Sequence, residues 1–469
     1  MLRTGSRLLA AAGLIAVLVG LPLTGAGAQT SGDWPGYLYN GARTGYNGGE
    51  KIITPSTAQK LKMLWVNNAT SSISAEPIEV GGVVYYGSGD GYEHAVDAAS
   101  GLPLWNAFLE STVDTNCIPD VLGVASTAMV ATIKVHGTAT RTVFVGGGNG
   151  YFYALNASNG RVIWKTPLDT QPDGFLFSSP MLYHGSIYEG LSSCGDGHVR
   201  GGIAQLNAAT GTVQHTLYTA PRGCQGATVW GSATVDTATG DVYFATGDPQ
   251  RCKKPEPLAV AVVQTNASLK VLSSWQVPAK LLPNDDSDFG STPTLFTASI
   301  RGVVHKMVGV QNKNGIYFAF DRSAISRGPL WEDRLTTVAG NCPQCGGSAG
   351  SDISPSAYDG HHLFIGSEQT RIGGVTCAGS IREVQPSTGA VVWADCLQTG
   401  AVLGAVTAVP GVAFVGAGNA VYAIAASTGH ILWSYHDTDG SSDFWGAPTI
   451  SGGHVYVGNQ DGELYAFSA

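Results

Sequence analysis

Acidic side chains in four irregular segments are the residues of this chain best suited to chemistry. The segments are 193–201, 229–231 with 245–249, 283–290 and 311–322. They supply Asp196, Asp248, Asp288, Trp230 and Lys313. Loops that depart from a regular pattern usually carry function, and carboxylate oxygens are the ligands that a hard cation such as Ca²⁺ prefers. The segments therefore indicate a candidate cation site beside an aromatic ring and a lysine.

Each of these residues also has a plainer interpretation. Asp196 and Asp248 are typical turn residues that bond their own backbone, and Asp288 fits a cap in an acidic, solvated loop. Lys313 is compatible with a surface charge at a hairpin, and Trp230 with a core position, since the chain has 10 tryptophans. Their joint occurrence favours a site.

The segments must be positioned by strands and turns, because the composition is unfavourable to long helices. The 469 residues include 64 Gly and 22 Pro, and only 13% are charged. This excludes a coiled coil, a helical solenoid and a charge-rich disordered protein. The net charge of -9 without a Lys/Arg block argues against a nucleic-acid partner. The chain has no Walker, HExxH or GxSxG motif.

A repeat of a Gly-rich turn, a β-branched or aromatic strand, a Ser/Thr/Asn-Gly turn and a strand that ends on Trp recurs along the chain. Clear copies end at Trp105, Trp164, Trp393 and Trp433, and degenerate copies end at Tyr218, Trp275 and Trp331. Repeats of about 40 to 60 residues with about four strands each predict a β-propeller. The Trp packs between neighbouring blades and reaches a backbone acceptor, and the Gly supplies the positive φ of the turn.

The eighth copy, which begins at 453, stops one strand short. The missing strand is supplied by 61–65 near the N-terminus, which carries the closing Trp65. The sequence therefore predicts an all-β, eight-bladed propeller of four-stranded antiparallel blades, closed by the N-terminal strand. We expect residues 29–469 to form this single domain.

Residues 1–28 have the features of a secretory signal peptide. Arg3 and Arg7 precede an apolar run, 8–23, and an A-x-A pattern ends at Ala28. The run is shorter than the ~20 residues that span a bilayer. We expect a protein secreted or held in the periplasm or cell envelope, with no membrane span after signal removal.

All eight cysteines lie in the exported part, where disulfides are the default. Two pairs are centred on predicted turns, which suggests the bridges Cys194–Cys224 and Cys377–Cys396. Cys342–Cys345 is then a local bridge, and Cys117–Cys252 follows by elimination. A zinc site at 342–345 is the competing interpretation, but no second such pair exists and no histidine lies at ligand spacing. A rigid, four-bridge face suits a binding site.

The order and spacing of the four irregular segments resemble the pyrroloquinoline quinone (PQQ)-dependent alcohol dehydrogenases, eight-bladed quinoproteins of the periplasm. The polyvinyl alcohol dehydrogenase branch is the most similar. The resemblance spans the chain after the signal peptide, including Trp34-Pro35 and the stretch 43–46. It implies that the protein oxidises an alcohol, such as polyvinyl alcohol or another polyol, with PQQ and Ca²⁺.

The resemblance also assigns roles to the site residues. Asp196 matches a calcium-binding Glu, Asp248 a calcium-binding Asn, and Asp288 the catalytic Asp beside the metal. Ser193 matches a Ser that contacts the quinone, Trp230 the Trp on which the quinone stacks, and Lys313 the Arg or Lys that hydrogen-bonds its oxygens. Two positions differ from the family. Cys117 is followed by Ile118 where many members have adjacent, bridged cysteines, and Ser287 replaces a Trp.

The mechanism implied by the resemblance combines a Lewis acid, a base and a hydride acceptor. Ca²⁺ polarises the quinone C5 carbonyl, Asp288 takes the hydroxyl proton, and hydride passes to C5. Lys313 stabilises the charge on the reduced oxygen. No cysteine pair is followed by His, so no covalent haem is encoded. A separate electron acceptor such as a cytochrome c is expected.

Two other functions remain open on the residues alone. One is a non-catalytic propeller that acts as a protein- or ligand-binding scaffold in the cell envelope, like the outer-membrane assembly propellers. The absence of a lipid-anchor cysteine and the presence of Asp288 count against it. The other is a propeller that binds sugars or polyols without redox chemistry.

Overall fold

The computed structural model describes residues 32–114, 117, 120–250, 252–283, 286–336, 352–438 and 442–469. Within these ranges the chain forms eight four-stranded antiparallel sheets arranged as the blades of a β-propeller. This confirms the predicted fold class. The expected signal peptide, 1–28, and the expected Cys342–Cys345 bridge lie outside the described residues.

The first four blades follow one another along the chain, and the four strands of each blade pair in chain order. Blade 1 consists of Ile78–Glu79, Val83–Gly87, Tyr92–Asp97 and Pro103–Phe108. Blade 2 consists of Met129–Val135, Thr138–Gly146, Tyr151–Asn156 and Val162–Pro167. Blade 3 consists of Met181–Tyr183, Ser186–Ser193, Gly202–Asn207 and Val213–Tyr218. Blade 4 consists of Thr234–Asp236, Asp241–Ala245, Ala261–Thr265 and Val271–Gln276.

The other four blades close the ring. Blade 5 consists of Thr294–Ile300, Val303–Asn312, Ile316–Asp321 and Trp331–Arg334. Blade 6 consists of Ala357–Tyr358, Leu363–Ser367, Gly379–Val384 and Val391–Leu397. Blade 7 consists of Thr407–Val409, Val412–Ala417, Ala420–Ala425 and Ile431–His436. Blade 8 consists of Thr449–Ser451, His454–Gly458 and Glu463–Ser468, and its fourth strand is Lys62–Asn68.

The fourth strand of blade 8 comes from the N-terminal part of the chain, as predicted. Lys62–Asn68 pairs antiparallel with Glu463–Ser468, so that Val66 lies opposite Tyr465. This pairing covers the outer edge of Glu463–Ser468 and joins the two ends of the chain in one blade. Ring closure therefore depends on a contact between residues about 400 positions apart, which is costly in loop entropy but stabilising once formed.

A few short elements lie outside the blades. They are the helix Pro55–Ala58, the 3-10 turns Cys194–Asp196, Ala279–Leu281 and Ile325–Arg327, the strand Gly174–Phe175 on blade 3, and three two-stranded ladders. The ladders pair Thr112–Val113 with Val121–Leu122, Gln225–Gly226 with Pro249–Gln250, and Thr370–Ile372 with Val375–Cys377. No helix among the described residues is long and apolar enough to cross a bilayer.

The blades are locked to one another by their closing tryptophans. Five of these donate the indole N–H to a backbone carbonyl in the next blade, over 2.9 to 3.1 Å: Trp65 to Ala98, Trp105 to Ala157, Trp164 to Ala208, Trp331 to Pro386 and Trp393 to Ala426. The turn glycine beneath each ring has positive φ, as at Gly211 with φ +72, where a Cβ would lie 2.5 Å from Trp164. Glycine is thus required both for the turn and for the approach of the ring.

Inner strands are buried on both faces because each blade is covered by two neighbours. All six residues of Val412–Ala417 are buried, whereas Ile431–His436 at the outer edge is partly exposed. Such continuous apolar runs are typical of fully buried strands. The core consequently lies between the blades, and the loops at the blade ends are left to line the axis.

Candidate functional site

A cavity of about 640 Å³ opens where the inner ends of the blades meet. It is lined by every residue that the sequence singled out for the site: Ser193, Asp196, Trp230, Asp248, Asp288 and Lys313. They come from blade 3, blade 4, blade 5 and the connections between these blades, so three consecutive blades build one side of the cavity. The structure therefore brings the irregular segments together at one cavity.

Three carboxylates form the centre of this site. Asp196, Asp248 and Asp288 each offer an oxygen, and these oxygens lie within 4.8 Å of one another. The three side chains are buried, with 7%, 7% and 1% of their surface exposed. Buried acids this close repel one another unless protons or a cation balance their charge. The arrangement matches the oxygen-rich ligand set of a hard divalent cation.

Asp196 is held by a neighbouring blade. One carboxylate oxygen accepts hydrogen bonds from the Thr228 backbone N–H at 3.2 Å and from the Thr228 hydroxyl. The other accepts the Asp248 N–H at 2.9 Å. Both partners lie on other segments, so the simple turn interpretation of Asp196 does not describe it. Thr228 is a residue that sequence reasoning missed, and no motif marks it.

Asp288 is fixed by the tryptophan and the lysine of the site. The indole Nε1–H of Trp230 donates to one oxygen at 2.7 Å, and Lys313 Nζ lies 2.7 Å from the other. Lys313 Nζ also lies 2.6 Å from Asp286 and 5.0 Å from the centroid of the Trp230 ring. Charge-assisted bonds of this kind are short and directional. A hydrogen bond and an ion pair therefore join Trp230, Asp288 and Lys313 into one unit.

Two glycines allow the close approach of the acid and the ring. A Cβ at Gly247 would lie 2.4 Å from an Asp196 carboxylate oxygen, and one at Gly290 would lie 2.0 Å from Trp230. Any larger residue would displace the side chains of the site. Gly247 and Gly290 are thus required by the packing of the site, although nothing in the sequence distinguishes them from the other glycines.

The charge states of the site follow from burial and mutual repulsion. Burial, with the negative charge of Asp288, raises the pKa of Asp196 to about 7. Burial, with the charges of Asp288 and Asp196, raises the pKa of Asp248 to about 9. Burial lowers the pKa of Lys313, but the negative charges of Asp288 and Asp286 raise it by more than burial lowers it. The net shift is upward, so the lysine stays charged. Without a cation the raised pKa values therefore favour protonation of Asp196 and Asp248 near neutral pH.

The remaining predicted cofactor contact, Ser193, is buried at the cavity wall. Its hydroxyl donates to the Gly197 carbonyl at 2.9 Å, which closes the loop that carries Asp196. Ser193 therefore shapes the loop as well as lining the cavity.

The opposite side of the cavity is apolar. Among the described residues, blades 6, 7 and 8 contribute no charged side chain to the lining; their side chains there are Ile353, Pro355, Leu403, Ala405, Trp445 and Ala447. We call these six residues the apolar arc. The cavity thus places a charged wall opposite a hydrocarbon one, a division that the sequence analysis did not predict.

The floor of the cavity is polar on one half of the ring. Backbone N–H groups donate from one blade to a hydroxyl of the next at 2.8 to 3.0 Å: Glu76 to Thr127, Thr127 to Ser179, Ser179 to Ser232 and Ser232 to Thr292. Below it Arg43 is buried and donates to the carbonyls of Ala233, Ser179 and Pro180 at 3.0 Å. These bonds fix the inner strands and hence the spacing of the site.

The disulfides differ in part from the prediction. Cys377–Cys396 is confirmed, but the predicted Cys194–Cys224 and Cys117–Cys252 are wrong, because Cys117 pairs with Cys194 and Cys224 with Cys252. Cys224 and Cys252 flank the ladder in which Gln225 lies opposite Gln250. The prediction assumed bridges at the ends of single hairpins, whereas these join segments that meet only in the folded ring.

Comparisons with known proteins agree with this geometry. The profile of the family described as outer membrane protein assembly factor BamB matches residues 121–251 and 377–469. A polyvinylalcohol dehydrogenase of Pseudomonas sp is 25% identical, over 86% of this chain and 70% of its own. The quinohemoprotein alcohol dehydrogenase of Comamonas testosteroni is 25% identical, over 72% of this chain and 53% of its own. A europium-containing methanol dehydrogenase structure has a TM-score of 0.73 at 17% identity, covering 94% of this chain and 98% of that one.

The fold is that of an eight-bladed β-propeller. The comparisons match this chain to the propeller family of PQQ-dependent alcohol dehydrogenases, which confirms the resemblance found in the sequence. The chain spans 70% of the length of the polyvinylalcohol dehydrogenase and about half of the quinohemoprotein.

Proposed function

We propose that this protein is an exported quinoprotein dehydrogenase that oxidises an alcohol with PQQ and Ca²⁺. The observation that carries the proposal is the buried triad of Asp196, Asp248 and Asp288 within 4.8 Å, joined to Trp230 and Lys313 in one cavity. The similarity to known proteins supports the same activity, since relatives of the chain are named as alcohol dehydrogenases.

The residues present fit a quinone and a cation. The three carboxyls, two of them with raised pKa, form a donor set that a divalent cation would neutralise. The ring of Trp230 lies at the cavity wall with Lys313 above it, so a planar acceptor can lie against the ring and receive a hydrogen bond from the lysine. In this proposal Asp196, Asp248 and Asp288 hold Ca²⁺, and Ser193, Trp230 and Lys313 contact PQQ.

The chemistry of the residues follows from their positions. Bound PQQ with its cation supplies a two-electron acceptor of hydride from the alcohol carbon. Asp288 takes the proton of the substrate hydroxyl on a carboxylate oxygen. Lys313, charged and 2.7 Å from Asp288, orients that carboxylate and provides positive charge where electron density accumulates. Trp230 keeps the carboxylate turned toward the cavity through its N–H.

The apolar arc favours an alcohol that carries a hydrocarbon segment. A hydroxyl at Asp288 leaves the rest of the substrate facing Leu403 and Trp445 of the apolar arc. Each buried CH₂ contributes about 0.8 kcal/mol. The carbon backbone of polyvinyl alcohol meets this description, whereas a sugar would place hydroxyls against apolar side chains.

The proposal includes a separate electron acceptor and a location outside the cytoplasm. We infer that electrons leave to a separate acceptor such as a cytochrome c, since one relative of the chain is named as a 1-butanol dehydrogenase (cytochrome c). We propose a secreted or periplasmic location, which the signal-like residues 1–28 and the three disulfides support.

The direct test is reconstitution of activity. Purified protein is loaded with PQQ and Ca²⁺, and dye reduction is followed with 1-hexanol, polyvinyl alcohol and glycerol. We expect alcohol-dependent dye reduction that is lost after chelation and restored by Ca²⁺. Absence of turnover with all alcohols, with PQQ demonstrably bound, would contradict the dehydrogenase function.

The alternative, a non-catalytic scaffold of the cell envelope, rests on the BamB description of the matching family profile. A scaffold has no need for three buried carboxyls around a cavity. Absence of both PQQ and Ca²⁺ binding would favour it.

A further inference from the structure

The Cys117–Cys194 disulfide forms part of the cavity wall. Both cysteines line the cavity, and their Cα atoms lie 5.6 Å apart although they are separated by 77 residues in sequence. Cys117 belongs to the connection between blades 1 and 2, and Cys194 follows the second strand of blade 3. The bridge therefore ties two otherwise separate loops together beside the carboxylates.

Cys194 lies two residues before Asp196. The 3-10 turn Cys194–Asp196 contains Gly195 with φ 61 and Asp196 with φ 55. Asp tolerates left-handed backbone better than most residues do, but this conformation is still less favourable than the right-handed region. Contacts around Asp196 therefore help to hold it.

The restraints on Asp196 come from two sides. Its carboxylate is bonded to Thr228 and to the Asp248 N–H. Its backbone follows Cys194, whose sulfur is bonded to Cys117, and the loop is closed by the Ser193 hydroxyl on the Gly197 carbonyl. Among these restraints only the disulfide anchors the backbone to a loop outside blades 3 and 4.

We propose that the Cys117–Cys194 disulfide is a positioning element of the cation site, and that it sets the affinity of the Asp196, Asp248 and Asp288 triad for Ca²⁺. The bridge holds Asp196 at a distance from the other two carboxylates that one cation can span. This inference rests on the proposed function, because it takes Ca²⁺ as the ligand of the triad.

Opening the bridge converts the disulfide to two thiols with the uptake of two electrons and two protons, which an added phosphine or dithiol supplies. The Asp196 loop then loses its anchor to the blade 1–2 connection. The entropy of the freed loop must be removed again when Ca²⁺ binds, so affinity falls.

The chain offers a matched control in Cys377–Cys396. This bridge lies in blade 6 and its ladder, and neither cysteine lines the described cavity. Cys224–Cys252 is less suitable because Cys252 lies four residues from Asp248.

The experiment measures binding of Ca²⁺ alone to metal-free protein by calorimetry. The wild type, C117S/C194S and C377S/C396S are compared, and their melting temperatures are recorded. We expect at least tenfold weaker Ca²⁺ binding for C117S/C194S and a change below twofold for C377S/C396S. Equal affinities for all three proteins, or equal losses in both variants, would overturn the proposal.

Failure of C117S/C194S to fold and failure of the wild type to bind Ca²⁺ have different meanings. If C117S/C194S does not fold, the wild type is reduced under native conditions, with the opened bridge identified by mass mapping; unchanged Ca²⁺ affinity after opening of Cys117–Cys194 overturns the proposal. If wild-type protein binds no Ca²⁺, the proposed metal function itself fails together with this inference. Retention of wild-type affinity in C117S/C194S overturns this inference alone.

Discussion

Asp288 is held by two different kinds of contact, a hydrogen bond from Trp230 and an ion pair with Lys313, and this distinguishes it from the other acids of the site. The Trp230 indole lies 2.7 Å from one oxygen and Lys313 lies 2.7 Å from the other. A base with both oxygens already bonded is oriented before the substrate arrives. The sequence indicated all three residues but not their bonds, because residues 58 positions apart carry no local signal of contact.

Replacement of Asp288 by Asn tests the base. Asp288→Asn keeps the shape and removes the proton acceptor, so we expect turnover to fall by at least about 10²-fold, the range of general-base effects. PQQ binding, followed by the quinone spectrum, should persist. Asp97→Asn, in a solvent-facing turn of blade 1, is the matched control and should keep wild-type turnover. Wild-type turnover in Asp288→Asn would show that another group takes the proton.

Trp230→Phe distinguishes the contribution of the Trp230 aromatic ring from that of its N–H donor. The variant retains an aromatic surface for the quinone but no donor to Asp288, and a hydrogen bond to a charged group contributes about 1.5–3 kcal/mol. We expect kcat to fall about tenfold or more while the PQQ dissociation constant changes little. An unchanged kcat with weakened PQQ binding would mean that Trp230 acts only as a stacking surface.

At the scale of elements, the loops at the blade ends divide the cavity between a charged wall and the apolar arc. The turn chemistry of the blades was predictable, since the turn Gly and the closing Trp recur in most copies of the repeat. The disulfide partners of Cys117 and Cys224 were not, because spacing along the chain says nothing about which loops meet across the ring. The apolar arc was also missed, since its residues resemble any other apolar residue in the sequence.

Leu403→Ser tests the apolar arc. The polar side chain removes hydrocarbon contact, so the ratio of kcat/KM for 1-hexanol over ethanol should fall about tenfold, given about 0.8 kcal/mol per buried CH₂. Leu272→Ser is the control, since Leu272 is 52% exposed on the outer strand of blade 4. A ratio that is unchanged in Leu403→Ser would show that substrate chains do not contact the apolar arc.

At the scale of the whole molecule, folding brings three mutually repelling carboxyls from blades 3 to 5 together, and the stability of the protein should report this. The pKa values of Asp196 and Asp248 are raised from 3.8 to about 7 and about 9. A group with a raised folded-state pKa contributes stability that is present below its unfolded pKa and is lost as pH rises through its folded pKa.

The metal-free protein should therefore lose stability between pH 6 and pH 9.5. We expect its melting temperature to fall by at least about 2 °C over this interval, with a smaller fall in Asp248→Asn, which has one acid fewer to ionise. Ca²⁺ should raise the melting temperature more at pH 9 than at pH 6, because protons compete less with the cation. Stability that rises over this interval in the metal-free protein would contradict the raised pKa values.

The central claim is that three carboxylates from blades 3 to 5 hold one cation beside a bound quinone. Titration of metal-free protein with PQQ, followed by absorption with and without Ca²⁺, tests it most directly. We predict saturation at one PQQ per chain that requires Ca²⁺ and is weakened at least tenfold in both Asp196→Asn and Asp248→Asn. PQQ binding that is absent, or that is independent of Ca²⁺ and of these two aspartates, would contradict the account.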